Sequence, residues 1–194
     1  VSFETARAIV DAVGDKALRI ALTVESNPAL IIEMARAVQP DMLHLCPLRG
    51  AFSPDHVAAL RGELPGIKIM QAIEVGGADT REQAINDARA YEAVADMLIL
   101  DTQAPDIAGI GASGKTHDWT ISREIVESVR IPVILAGGLS LFNVGAAIRA
   151  VRPYGVDSLT HTNEKLAGGG FRKDILKVQR FAGAVRAAAK ALES

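Results

Sequence analysis

Short apolar runs alternate with segments of helical periodicity along nearly the whole chain, and this alternation restricts the possible folds more than any other feature. A strand buried on both faces is a continuous apolar run, whereas a helix with one buried side repeats its apolar residues every three or four positions. Six such runs are each followed by a helical segment, and one further helix precedes them all. The six predicted strands are 17–24, 42–46, 67–73, 97–100, 131–136 and 155–159. This pattern predicts an α/β fold with a parallel sheet and right-handed crossovers.

Local signals mark where several of the helices begin. Asn27-Pro28 and Ser53-Pro54 each combine a capping residue with a proline in the first helical turn. Thr80 followed by Gln83 has the spacing of a capping box, in which two side chains satisfy free backbone amides reciprocally. Each of these signals predicts the start of a helix.

Two architectures fit the alternation. A doubly wound open sheet carries helices on both faces, whereas a (βα)8 barrel closes eight strands inside a ring of helices. The leading helix decides between them, because in a βα series such a helix has lost the strand before it. We therefore predict an α/β (βα)8 TIM barrel in which about one and a half βα units, on the order of 35 residues, precede Val1. No linker or charge block divides residues 1–194, which predicts a single barrel domain, incomplete at its N-terminus.

The composition limits the class of partner. The chain has 194 residues, 49% of them hydrophobic and 23% charged, with a net charge of −2. Both signs of charge are scattered, so the sequence has no basic patch for a nucleic-acid backbone, and its apolar runs are too short for a membrane span. Cys46 is the only cysteine, which excludes an intrachain disulfide and fits a reducing cytoplasm. We expect a cytoplasmic protein that binds neither nucleic acid nor membrane.

The predicted strand 97–100 leads into the part of the chain with the clearest chemical features. Asp101 follows the strand, and the loop after it contains Gly109, Gly111 and Gly114. α/β proteins usually place their chemistry at the carboxyl ends of parallel strands, and glycines in a loop let the backbone approach a ligand closely. Asp101 either takes part in catalysis or hydrogen-bonds loop amides.

Five motifs resemble those of the phosphoribosylanthranilate isomerase family, in that family's order and spacing, over nearly the whole chain. They are Leu98-Ile-Leu-Asp101, Gly111-Ala-Ser-Gly-Lys-Thr-His-Asp-Trp119, Ile134-Leu-Ala-Gly-Gly-Leu139 with Asn143-Val144, Arg152-Pro-Tyr-Gly-Val-Asp157, and Arg172-Lys-Asp174. The resemblance implies a (βα)8 barrel that converts an aminoaldose phosphate into an aminoketose phosphate, an Amadori rearrangement in tryptophan biosynthesis. It also implies that no cofactor and no metal take part.

The resemblance implies general acid and base catalysis. Asp101 stands where the family has its general acid, which protonates the ring oxygen of the ribose and needs a raised pKa to do so near neutrality. The family's base is a cysteine on the first strand, which is expected before Val1. Cys46, at the end of another strand, is either a substitute for that base or a small buried residue.

Phosphate binding is expected after the last two strands, where this fold commonly holds phosphates. Gly137 and Gly138 either offer backbone amides there or simply form the turn into the next helix. Gly114 and Lys115 belong to the glycine-rich loop, which is either a lid over the substrate or a solvated loop. Asp157 matches a family aspartate near the substrate, with a structural hydrogen-bond network as the alternative.

Several positions depart from the family pattern. Leu159-Thr-His-Thr-Asn-Glu164 replaces the usual Ser-Ser-Gly-Val-Glu, is one residue longer and lacks the glycine. Within this segment His161 and Thr162 are candidates for phosphate contacts; His161 either carries positive charge there or is a surface histidine. His44-Leu-Cys-Pro47 replaces Gln-Leu-His-Gly, and His117 replaces a phenylalanine. These departures leave room for a changed substrate.

Three functions remain open on the sequence alone. The first is isomerisation of phosphoribosylanthranilate with Asp101 as the acid, and the second is isomerisation or epimerisation of a different sugar phosphate by a related barrel. The third is a barrel that binds a phosphorylated metabolite without turning it over. All three predict a small phosphorylated ligand, no cofactor or metal, and a monomer or homodimer.

Overall fold

The computed structural model of the protein describes residues 1–76, 78–102 and 116–192. Helices and strands alternate in this part of the chain, as predicted. The helices are α1 (Phe3–Val13), α2 (Pro28–Val38), α3 (Pro54–Glu63), α4 (Arg81–Glu92), α5 (Trp119–Ser128), α6 (Val144–Val151) and α7 (Ile175–Lys190). The strands are β1 (Ile20–Thr23), β2 (Met42–Leu45), β3 (Lys68–Val75), β4 (Met97–Thr102), β5 (Val133–Leu135), β6 (Gly155–Val156), β7 (Asn163–Lys165) and β8 (Phe171–Lys173). None of these helices is both long enough and apolar enough to cross a membrane.

Strands β1 to β6 form one parallel sheet, and they lie in the sheet in the same order as in the sequence. Because crossovers between parallel strands are right-handed almost without exception, this order places the connecting helices on one face of the sheet. Consecutive helices accordingly pack side by side, α1 against α2, α5 against α6 and α6 against α7. A doubly wound sheet reverses its strand order and carries helices on both faces. The sequential order excludes that alternative, and the predicted α/β fold with a parallel sheet is confirmed.

Most of the helix starts follow the local signals in the sequence. Asn27 caps α2 and Ser53 caps α3 through their side-chain oxygens, as predicted. The helix start predicted at Thr80 is confirmed, since α4 begins at Arg81, but the capping box is wrong: a 3-10 turn over Ala78–Thr80 leads into α4 and no Thr80 side-chain hydrogen bond caps the helix. That turn gives Thr80 a ψ of 0°, whereas a capping residue is normally extended.

Apolar side chains cover both faces of the sheet. Two large clusters fill the space between the strands and the helices, one around Ile31 and Leu43 and the other around Leu98 and Ile121. On the opposite face, alternate residues of β2 to β5 and of the segments just after them form a smaller group, which we call the inner cluster: Met42, Cys46, Met70, Ala72, Ile99 and Ala136. Burial on both faces explains why the strands are uninterrupted apolar runs in the sequence.

Strand β1 forms one edge of the sheet, and the face of β1 that continues the inner cluster is exposed. Ile20 pairs in register with Met42, and Leu22 pairs with His44. Ile20 and Leu22 are 46% and 59% exposed, and they border a groove whose other wall is the apolar side of α1. An edge strand with an exposed apolar face is a surface that proteins normally cover.

The region after β5 differs most from the prediction. The last strand was expected to reach Leu159, but pairing in β6 ends at Val156 because the chain then turns into a 3-10 segment at Thr160–Thr162. Beyond that segment, β7 and β8 form an antiparallel hairpin that the sequence did not predict. Gly169 and Gly170 lie between its two strands with φ angles of 89° and 77°, which explains the glycine run.

Candidate active site

Asp101 lies near the carboxyl end of β4, where the strand emerges from the core. The alternation of the strand places Ile99 in the inner cluster and Asp101 next along the same face. One carboxylate oxygen, Oδ1, accepts the backbone N–H of Thr102 at 2.7 Å. Burial raises the pKa of Asp101 to about 6; the hydrogen bond from Thr102 opposes this rise, and the charge of Asp157 adds to it. A carboxyl group of this kind keeps a protonated fraction near neutral pH, which a general acid requires.

A glycine turn follows the neighbouring strand β5. Gly137 and Gly138 have φ angles of 83° and 61°, in the left-handed region that favours glycine. A Cβ atom on Gly137 would overlap Thr102 Oγ1 and would lie 3.0 Å from His117 Nδ1. On its other side the turn is held by Asn143, whose Nδ2 donates to the Gly138 carbonyl at 3.0 Å. The positive φ angle of Gly137 and the close approach of Thr102 Oγ1 to its Cβ position both require glycine at position 137.

Asp157 and His161 lie on the segment that follows β6. The backbone N–H of Asp157 donates to the Leu135 carbonyl at 2.9 Å, which holds this residue beside β5. Asp157 is exposed to solvent. The protein around it nevertheless displaces enough water to raise the pKa of its carboxyl group, and the charge of Lys173 opposes that rise. His161 is exposed in the 3-10 segment. The segment therefore presents an acid and an imidazole close to the ends of β4 and β5.

The ends of β4, β5 and β6 enclose a small cleft that brings these side chains together. Five of the predicted site residues line it: Asp101, Gly137, Gly138, Asp157 and His161. The enclosed volume is about 20 Å³, which is room for a single water molecule. A larger ligand would therefore have to bind across the mouth of the cleft, with its polar groups directed at the glycine turn and the acids.

Thr162, a further predicted site residue, does not line this cleft. It is buried, and its hydroxyl group contacts the Ser158 carbonyl at 2.8 Å. The same hydroxyl accepts a hydrogen bond from Lys173 Nζ at 2.7 Å. Lys173 was not predicted as a site residue, although it belongs to the Arg172-Lys-Asp174 motif. Thr162 and Lys173 together fasten the segment after β6 to strand β8.

The other candidates lie away from the cleft or outside the described residues. Cys46 belongs to the inner cluster and is 3% exposed. Gly114 and Lys115 fall outside the residues that the structure describes, so their role in a lid stays a prediction. Within the described ranges, no group of three or more His, Cys, Asp or Glu side chains is arranged to hold a metal ion.

His117 lies near the cleft and, like Lys173, was not predicted from the sequence to have a role. Its ring nitrogens lie 3.0 Å from Thr102 Oγ1 and 2.6 Å from Ser122 Oγ. The signal for it was the departure from the family's phenylalanine, because an imidazole can form two hydrogen bonds where a phenyl ring forms none.

A larger cavity, of about 260 Å³, lies beneath residues 47–54 and includes none of the predicted site residues. Its charged groups are largely paired with each other, since Arg49 Nη2 lies 2.8 Å from Asp87 Oδ2. The acids with raised pKa values lie instead at the small cleft. The cleft is therefore the better candidate for acid and base chemistry.

Comparison with the sequences of known proteins relates the chain to one family of enzymes. The family described as N-(5'phosphoribosyl)anthranilate (PRA) isomerase matches residues 3–181. The N-(5'-phosphoribosyl)anthranilate isomerase of Methanocella arvoryzae is 36% identical over 186 residues, which cover 96% of this chain and 81% of that protein. Both results agree with the motifs, which lie between Leu98 and Asp174, within the matched residues.

Solved structures agree with the family assignment. The phosphoribosyl anthranilate isomerase of Thermotoga maritima superposes with a TM-score of 0.76 at 27% identity, covering 96% of this chain and 82% of that one. A phosphoribosyl anthranilate isomerase in complex with reduced 1-(o-carboxyphenylamino)-1-deoxyribulose 5-phosphate shares the fold, with a TM-score of 0.72 at 24% identity over 96% of this chain and 80% of that one. The resemblance predicted from the motifs is confirmed, and the chain belongs to the N-(5'-phosphoribosyl)anthranilate isomerase family.

Proposed function

We propose that this protein is a phosphoribosylanthranilate isomerase of tryptophan biosynthesis, with the cleft at the ends of β4, β5 and β6 as part of its active site. The supporting observation is that one cleft contains both Asp101, a half-buried acid of raised pKa, and the glycine turn at Gly137. The chain belongs to a family of isomerases, so the acid and the glycine turn can both be assigned a role in that reaction.

In this proposal Asp101 supplies the proton that opens the ribose ring. The bond between C1 and the ring oxygen breaks, the oxygen takes the proton of the Asp101 carboxyl group, and the nitrogen lone pair forms a C=N bond. Removal of the C2 proton by a base then gives an enolamine, which tautomerises to the aminoketose. The family resemblance assigns that base to a cysteine on the family's first strand, and the cleft described here supplies the acid and the phosphate end of the site.

The substrate phosphate binds across the mouth of the cleft, against the backbone amides of Gly137 and Gly138. Successive amides in a glycine turn of positive φ form a concave surface that suits an anion. His161 lines the same cleft and can donate a hydrogen bond to the same anion. Asp157 repels a phosphate when ionised, and the nearby charge of Lys173 reduces that repulsion. We expect the phosphate to contact the glycine turn more closely than Asp157.

The proposed enzyme is a complete (βα)8 barrel and a single domain, in which further strands cover the exposed face of β1. Ile20 and Leu22 present apolar surface there, and the groove between β1 and α1 has apolar walls. A closed barrel has no edge strands and buries the inward side chains of every strand. Leu22 and Ile20 would then complete the inner cluster from the β1 side.

A Leu22→Glu substitution tests this closure in the full-length gene product. If Leu22 points into a closed barrel, a glutamate there should lower the free energy of unfolding by about 2 kcal/mol or more, because the apolar burial is lost and a charge is buried. The control is Leu48→Glu, since Leu48 is 57% exposed and Leu22 is 59% exposed. Urea denaturation of both variants measures the effect. Equal and small losses in the two variants would contradict barrel closure over β1.

The proposed activity is tested by following phosphoribosylanthranilate turnover by the full-length gene product. Freshly generated substrate loses its anthranilate-like fluorescence as it rearranges, so the initial rate gives kcat and KM directly. Turnover without added metal or cofactor is the expected result. A folded protein that leaves this substrate unchanged would contradict the proposal.

A second candidate function is isomerisation or epimerisation of a different sugar phosphate. The observation that favours it is the segment after β6, where a buried Thr162 bonded to Ser158 and Lys173 stands in place of the family's glycine-containing run. This candidate predicts no turnover of phosphoribosylanthranilate together with turnover of another aldose phosphate. A panel of aldose phosphates, assayed with the same protein preparation, distinguishes the two.

A further inference from the structure

His117 connects helix α5 to the end of β4 through both of its ring nitrogens. Nε2 lies 2.6 Å from the hydroxyl oxygen of Ser122, which is fully buried on α5. Nδ1 lies 3.0 Å from the hydroxyl oxygen of Thr102, the last residue of β4. With one hydrogen bond at each nitrogen, the ring cannot rotate without breaking a contact.

Thr102 contacts two residues that line the cleft, Asp101 and Gly137. Its backbone N–H donates to Asp101 Oδ1 at 2.7 Å, while its hydroxyl oxygen occupies the space where a side chain at Gly137 would begin. His117 Nδ1 also lies only 3.0 Å from that position beside Gly137. A shift of Thr102 would therefore move the hydrogen-bond donor of the acid and release the glycine turn at the same time.

We propose that His117 is a positioning residue of the cleft, which holds Thr102 so that its amide stays on the Asp101 carboxyl group and its hydroxyl group stays against Gly137. The inference rests on the proposed function, because it assigns to His117 the placement of the acid and of the phosphate end. His117 itself does not line the cleft, so its effect on a substrate passes through Thr102.

The charge state of His117 is consistent with this role. Burial lowers the pKa of His117 to about 4, and the charge of Asp118 opposes this only in part. The imidazole is therefore neutral near pH 7, with one nitrogen donating and the other accepting a hydrogen bond. Among the described residues, the titratable groups that share the cleft with Asp101 are Asp157, which in turn faces Lys173, and His161.

The sign of the expected pH effect follows from the Thr102 amide. Its hydrogen bond lowers the pKa of Asp101, since it stabilises the ionised carboxylate. If His117 is removed and Thr102 loosens, the pKa of Asp101 should rise further. Because the general acid must be protonated, the decline of kcat on the alkaline side should then move to higher pH.

The test is a His117→Phe variant of the full-length protein, which keeps an aromatic ring and loses both hydrogen bonds. We expect kcat to fall about 10-fold through misplacement of the reacting groups, with the alkaline limb of the kcat profile moved upward. His56→Phe is the matched control, because His56 takes part in the capping box of α3 and lies away from the cleft. That variant should lose thermal stability and keep the wild-type pH profile.

Two amide variants identify which contact of His117 matters. Asparagine places a polar atom near the position of Nδ1, facing Thr102, whereas glutamine reaches the position of Nε2, facing Ser122. His117→Asn should therefore retain more activity than His117→Gln. The reverse order would overturn the proposal, because it would assign the effect to the Ser122 contact alone.

A readout that needs no substrate separates this inference from the proposed function. The ¹³C chemical shift of the Asp101 carboxyl group, followed through a pH titration, should show a higher pKa in His117→Phe than in the wild type, and an unchanged one in His56→Phe. This result supports the inference even if phosphoribosylanthranilate is not the substrate. A lower melting temperature in His117→Phe with an unchanged Asp101 titration would overturn it.

Discussion

An Asp101→Asn variant is expected to lose about 10³-fold in kcat for phosphoribosylanthranilate, with a much smaller change in KM. Asparagine keeps the oxygen that accepts the Thr102 amide, so the local hydrogen bond can persist. It has no proton to give to the ring oxygen, and therefore the ring-opening step loses its acid. Initial rates from the fluorescence assay measure the loss. An Asp55→Asn variant, at an exposed position on α3, controls for the general effect of removing a carboxylate.

The same substitution should increase stability at alkaline pH. The pKa of Asp101 is raised in the folded state to about 6, so its contribution to stability is complete below the unfolded-state pKa and is lost as the pH rises through 6. At pH 8 the wild type carries the cost of an ionised, half-buried carboxylate, whereas asparagine carries none. Urea denaturation at pH 8 should show Asp101→Asn to be more stable than the wild type by about 2 kcal/mol. A variant that is both inactive and unfolded would instead indicate a structural role.

The fold could be predicted from the sequence because its main features are local. Parallel strands buried on both faces leave continuous apolar runs, and proline after Asn27 or Ser53 marks a helix start at that very position. The two wrong predictions, at Thr80 and at the end of the last strand, also have local causes. At Thr80 the preceding turn prevented the capping geometry, and after Val156 the polar residues Asp157 and Ser158 lead out of the sheet before the chain reaches Leu159.

The candidate site was predictable only where strand order dictates proximity. Asp101, Gly137 and Asp157 each lie at or just beyond the carboxyl end of a strand, and neighbouring parallel strands bring these ends together. The contact between His117 and Thr102 joins residues 15 positions apart and depends on where α5 begins relative to β4. No periodicity in a single sequence encodes such a distance, so this part of the site required the structure.

Gly137→Ala should be the most damaging small substitution near the cleft. The new methyl group would overlap the Thr102 hydroxyl oxygen, and alanine would also have to adopt a φ of 83°. The two effects together should lower the free energy of unfolding by about 3 kcal/mol, which corresponds to a melting temperature about 10 °C lower, and should raise KM as the turn moves. Gly66→Ala separates the causes, because Gly66 has a φ of 92° and nothing within 4 Å of its Cβ position. That control should lose only about 1 kcal/mol and keep the wild-type KM. Equal losses in the two variants would show that backbone strain alone matters at position 137, and that the packing of Thr102 against the turn does not shape the cleft.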